Sequence, residues 1–437
     1  MQLKRNMQSI SLSWVTEFQK RIFQPSSLLK QQTIANCPYS IVYYEKDLLP
    51  VELIPTYGIF RSIILKDSHT NEVVCFSPPK CIPSETFMRE YPISSGSGSG
   101  SGIHTSLVAE EFVEGTMINV FWDVEWKIAT KKTIGAESVF FKKNNGKNKH
   151  FRQMFFEALD FCGLPSLDVL DKDICYSFVM QHPENRIVVP FLKPALYLVA
   201  AYKIYNVHDS DDSDDAAEYL SEVVVQPQSR CEVLKTIANK TSHAMTMTIQ
   251  TPKQYSSWTN YSELIDQFAS ANTPYHIMGV VVRHSETGQR MKFRNPTYEE
   301  VRRLRGNHPK LQYQYLCLRR EGAVSAFLAW YPEYRKECSA FRDQIHFFTS
   351  ALHANYVSCF IRKEKPLHFF SNQFLPHLKA LHKMYLTELR EQNTGMHHSN
   401  VVDYVNQLHP TFLMYSLNFS LRKRESAAAA AAAPIDI

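Results

Sequence analysis

One change of texture constrains this chain more than any other feature. Up to about residue 295, short runs rich in β-branched and aromatic residues are separated by turn residues; beyond it, apolar residues recur three or four positions apart. The runs IFRSIIL (59–65), EVVCFS (72–77), TMINVFW (116–122), WKIAT (126–130), ENRIVVPF (184–191), ALYLVAAYKIY (195–205) and IMGVVVRH (277–284) predict strands. Phe341, Ile345, Phe348, Leu352 and Tyr356 fall on one helical stripe, as do Leu375, Leu378, Leu381, Tyr385 and Leu389. A period of two cannot become a period of 3.6 within one element. The chain is therefore expected to be α+β, a sheet domain followed by an all-helical one, and 437 residues is long enough for two cores.

Biased segments mark the joints. The expected organisation is an N-terminal helical segment at 1–40, a sheet domain at 41–295, a helical domain at 296–425 and a tail at 426–437 that contains Ala427 to Ala433. Within the sheet domain, SSGSGSGSG at 94–102 is a flexible linker by composition. The stretch at 208–218, HDSDDSDDAAE, is too acidic to pack and is expected to be a solvated loop. Lys+Arg 48 against Asp+Glu 43 leaves a net charge of only +5, so any attraction for polyanions must be local. Nine cysteines show no Cys-x-x-Cys pair, which argues against a zinc site or disulfide framework and for a reducing compartment. No apolar run is long enough to span a bilayer, so membrane insertion is not expected.

The commoner catalytic signatures are absent: no Walker lysine loop, no Gly-x-Gly-x-x-Gly, no His-Glu-x-x-His and no Gly-x-Ser-x-Gly. What remains is an ordered series of segments over roughly 40–300. It comprises Phe60-Arg61-Ser62-Ile63-Ile64, Phe76-Ser77-Pro78-Pro79-Lys80, Phe112-Val113-Glu114-Gly115-Thr116 and Lys131-Lys132-Thr133. It continues through Ser177 to Val188, then Met278-Gly279-Val280-Val281, and closes with Lys292-Phe293-Arg294 before Tyr298. In order and spacing this series resembles the bacteriophage-type RNA ligase 1 family of covalent nucleotidyltransferases. The resemblance implies an antiparallel-sheet nucleotidyltransferase domain, with ATP and Mg as cofactors and RNA as substrate.

In such a ligase a lysine attacks the α-phosphate of ATP. The resemblance places that lysine at Phe112, and places carboxylates at Ser177 and Met278, so nucleophile and anionic ligands are missing together. No catalytic residue is intact, and no cofactor is required. A Lys-x-x-Gly from Lys132 to Gly135 is the fallback for a displaced nucleophile. The residues that remain suitable for phosphate or nucleotide binding are Glu114, Gly115, Lys132, Arg186, Lys292 and Arg294. The same cations also suit structural ion pairs.

The helical third carries basic stretches, RRLRGNHPK (302–310), LRR (318–320), IRKEKP (361–366) and LRKRE (421–425), which suit either an RNA-gripping surface or simply a solvated helix face. Its texture resembles the long tails of RNA-ligase-like proteins of large cytoplasmic DNA viruses. That resemblance implies RNA or other viral and structural proteins as partners, in the cytoplasm, a viral factory or the virion. Three readings stand: an inactive binding or structural relative, an active ligase with a displaced lysine, and an RNA-binding protein without chemistry.

Overall fold

The computed structural model describes residues 10–11, 28–33, 37–66, 72–93, 106–140, 149–164, 166–209, 219–241 and 247–422. The linker at 94–102, the acidic stretch from 210 to 218 and the tail from 426 to 437 lie outside the described residues. The chain divides into two compact units, one of residues 1–139 and 143–302, the other of residues 140–142 and 303–437.

The first unit contains three antiparallel sheets. One runs β2 (Leu29–Thr33), β3 (Tyr39–Tyr44), β4 (Ile63–Lys66), β5 (Val73–Phe76) in order across the sheet. A second is ordered β12 (Gln254–Tyr255), β6 (Leu107–Glu111), β13 (Gly279–His284), β14 (Arg290–Arg294). The third has six strands: β1 (Ile10–Ser11), β11 (Tyr219–Pro227), β10 (Ala195–Asp209), β9 (Ile174–Gln181), β7 (Thr116–Trp122) and β8 (Trp126–Ala129).

Alternation along β9 divides the packing, because successive side chains face opposite ways. Cys175 points into the core shared with the first sheet, where its thiol meets the Phe76 carbonyl at 3.6 Å. Tyr176, Phe178 and Met180 point into a second core, closed by the helices Phe151–Phe161 and Arg230–Lys240. Asp123 ties two sheets together by accepting from the Tyr39 hydroxyl at 2.7 Å and from Lys66 Nζ at 2.8 Å. Burial raises the Tyr39 phenol, and the Asp123 carboxylate beside it raises it further.

Two expectations fail against these elements. The described residues of the segment 1–40 are strands rather than helix: LKQQT pairs antiparallel with YSIVYY, and only Leu29 of the former is buried. The run 184–191 is a turn and loop rather than a strand. Asn185 N–H donates to the His182 carbonyl at 2.9 Å, and the amides of Val188 and Val189 donate to the Glu114 carboxylate at 2.8 and 3.0 Å instead of to a neighbouring strand.

In the second unit the described residues form helices and turns. The longest helix, Arg335–Tyr356, buries Ile345, Phe348, Leu352 and Tyr356, the stripe expected from their spacing. His377 is fully buried between the Tyr404 hydroxyl at 2.9 Å and the Ser416 hydroxyl at 2.8 Å, and burial lowers its pKa to about 4. This is a neutral packing histidine. Among the described residues, no helix is long and apolar enough to cross a membrane, and no group of three or more His, Cys, Asp or Glu is placed to hold a metal ion.

Candidate functional site: a cation-lined cleft

The strand β14, Arg-Met-Lys-Phe-Arg, shows how the sequence builds the site. Met291 and Phe293 turn into the core, so the period of two sends Arg290, Lys292 and Arg294 to the other face. Two further segments are stitched to this strand. Ile82 N–H donates to the Arg290 carbonyl at 2.9 Å, the Arg290 guanidinium donates to the Pro79 carbonyl, and Lys80 N–H donates to the Gly58 carbonyl at 2.8 Å. Tyr44 N–H donates to the Phe60 carbonyl at 2.7 Å, which sets Arg61 beside the end of β3. After β8, a tight turn in which Thr130 N–H donates to the Thr133 carbonyl at 2.8 Å presents Lys131 and Lys132.

The cations group around aromatic rings. Lys131 and Lys80 lie 4.4 and 5.3 Å from the centre of the Tyr44 ring, and Lys132 lies 4.7 Å from that of Tyr43. Lys292 and Arg294 flank the Phe112 ring at 5.4 and 5.6 Å. Such contacts favour the charged form only modestly. Crowding works the other way. Burial, then Arg61 and Lys132, pull the Lys131 ammonium down to about 8. Burial also brings Lys292 to about 8, with Arg294, Arg61 and Arg290 adding to the shift and Cys81 opposing it.

Carboxylates are few here. Burial alone would raise Glu45, but Lys132 at 3.7 Å and Lys30 at 3.3 Å hold it below the usual range. Glu299 pairs with Arg294 and with Arg302, the latter at 3.3 Å. Among the described residues no carboxylate pairs with Arg61, Lys80, Lys131 or Lys292.

The expected site residues are only partly brought into this cation cluster. Phe112 follows β6 and is half-buried against Lys292 and Arg294. Ser177 is fully buried in β9 and donates to Asn119 Oδ1 at 2.8 Å. Met278 stands just before β13, its carbonyl accepting from Asn295 N–H at 3.2 Å. Lys132 is exposed at the rim, and Arg186 donates from Nε to the Val188 carbonyl at 3.0 Å within its own loop. Glu114 is buried, and its carboxylate is engaged by the two amides of the 182–189 loop, so it anchors that loop.

Gly115 and Gly279 are close-approach positions: a Cβ would stand 2.4 Å from the Met180 carbonyl oxygen at the first and 2.1 Å from that of Phe293 at the second. Arg61, Lys80 and Lys131 stand in the motif series without being assigned to phosphate binding, and Arg290 lies outside it. Alternation in RMKFR marks the last of these, and the lysine pair after WKIAT marks Lys131. The approach of Arg61 and Lys80 depends on contacts between distant segments. The magnesium implied by the resemblance does not fit the donor set, because a hydroxyl committed to Asn119 and a thioether replace anionic oxygens.

No family model matches the chain. In sequence it is similar to an RNA ligase of Rhodothermus phage RM378, 27% identical over 124 residues that make up 28% of each chain. It is also similar to an immediate-early protein ICP-46 homolog of Invertebrate iridescent virus 3, 23% identical over 264 residues, 58% of this chain and 49% of that one. The chain thus spans about half or less of the curated relatives it matches. Among solved structures, an archaeal ATP-dependent RNA ligase matches with a TM-score of 0.33 and 12% identity, over 75% of this chain and 72% of that one. A Naegleria gruberi RNA ligase mutant with ATP and Mn matches with a TM-score of 0.29 and 9% identity, over 45% of this chain and 51% of that one. Structural likeness at this level carries no argument about chemistry. Over part of its length the chain is thus similar in sequence to a phage RNA ligase and to a viral protein, and its described residues form antiparallel sheets followed by helices.

Proposed function

We infer that this protein holds the phosphates of a nucleotide or of an RNA end without forming a covalent lysyl-nucleotide. The observation that supports this reading is Phe112: at the position the resemblance assigns to the attacking lysine stands a ring with no nucleophile, flanked by Lys292 and Arg294. Ser177 and Met278 remove the anionic oxygens that the reaction needs, while cations that attract phosphate remain. With a viral relative in the comparison, its partners are RNA and other viral proteins, in the infected cytoplasm or the virion.

The test is incubation with ATP labelled in the α-phosphate, with magnesium or manganese, followed by denaturing electrophoresis. No covalent label is expected; a stable adenylyl-protein band overturns the reading. If such a band appeared and vanished in Lys132→Ala, the active ligase with a displaced lysine would replace it. In Phe112→Lys, partial labelling is expected if the cleft still orients ATP.

A further inference from the structure

We propose that the cleft takes a chain of phosphates by direct contact with lysine and arginine, with no divalent cation between them. This rests on the phosphate-holding reading above and departs from what the resemblance implies.

The geometry supports it in three ways. First, Arg61, Lys80, Lys131 and Lys292 converge from four separate segments, and among the described residues none of them forms an ion pair with a carboxylate; Glu45, the one acting on Lys131, is paired with Lys30 and Lys132. Like charges in excess of their counter-ions repel, and a bound polyanion removes that repulsion. Burial lowers both Lys131 and Lys292, and the neighbouring cations add to that shift. Secondly, a bridging magnesium needs oxygen ligands from the protein, and Ser177 is spent on Asn119 at 2.8 Å while Met278 supplies only a thioether. Thirdly, the hydroxyls of Ser62 and Ser77 are buried and without a partner among the described residues. They lie in the two segments that carry Arg61 and Lys80, so these segments hold donor capacity that the protein itself does not use.

With cations in direct contact, magnesium in solution becomes a competitor, since it neutralises the phosphates before they reach the cleft. Two sources present this chemistry, a free nucleoside triphosphate and the 5′-triphosphate end of an RNA strand.

The experiment titrates the full-length protein with inorganic tripolyphosphate by calorimetry, once in EDTA and once in millimolar magnesium. Binding in EDTA as tight as or tighter than in magnesium is the expected result. Binding that is tighter with magnesium overturns this proposal and leaves the phosphate-holding reading in place. No binding under either condition overturns both. Lys131→Met and Lys292→Met are each expected to weaken the EDTA-condition affinity by about tenfold. Lys131 sits in a turn and its variant is the less exposed to misfolding; thermal unfolding confirms that both are folded. Wild-type affinity in both folded variants would overturn the proposal. Parallel titrations with 5′-triphosphate and 5′-hydroxyl RNA of one sequence distinguish the sources. Preference for the triphosphate strand over free tripolyphosphate identifies a strand end, and equal affinity identifies the free nucleotide.

Discussion

Lys131 and Lys292 lose basicity on folding, chiefly through burial. Each titrates near 8 in the folded chain, against about 10.4 for an unperturbed lysine. Below pH 8 both folded and unfolded states hold the proton, and the folded state bears the full cost of a crowded ammonium. Between about 8 and 10.4 the unfolded chain binds more protons, so stability from these groups rises with pH. Lys292→Met should therefore be more stable than the parent at pH 7, with the difference closing toward pH 10, as followed by urea unfolding. A difference independent of pH would mean that the crowding is not electrostatic. That Phe112 stands where the resemblance assigns a lysine is a reading of the sequence alone. The burial of Ser177 against Asn119 was not, because only the β7–β9 register sets those two residues side by side.

At the scale of elements, the β13–β14 pair positions Arg290, Lys292 and Arg294. Gly279 has φ +133° and pairs with Arg294, and an added Cβ would stand 2.1 Å from the Phe293 carbonyl oxygen. Gly279→Ala is expected to cost about 3 kcal/mol in denaturant unfolding and to weaken anion binding by shifting β14. A loss under about 1 kcal/mol would show that the strand yields without strain. Element type was legible wherever the period was clean: β7 at 116–122 and the helix Arg335–Tyr356 lie where alternation and the three-to-four spacing put them. The run 184–191 misleads because β-branched composition does not reveal that Glu114, some 70 residues earlier, takes its backbone amides. The strand at Leu29–Thr33 is short and mostly exposed, so its apolar pattern is weak and its partner β3 defines it.

For the molecule as a whole, a net charge of +5 is too small to drive nonspecific association, and the anion affinity should reside in one place. RNA binding measured against salt should lose about 0.7 in logarithmic slope for each phosphate contact removed. Lys131→Met with Lys292→Met should flatten that slope, whereas neutralising the exposed Arg362, Lys363 and Lys365 of the helical unit should leave it unchanged. The opposite pattern would move the RNA surface to the helical unit.

The sequence by itself determined the two textures, the α+β class with a helical second part and an order of segments that resembles a ligase. These depend on local periodicity and residue identity, which every segment carries with it. Only the tertiary structure decided which cations share a cleft, that Glu114 anchors a loop, and that Lys131 and Lys292 lose much of their basicity. Charge crowding and desolvation arise between segments that are far apart in the chain, and no spacing within one segment encodes them.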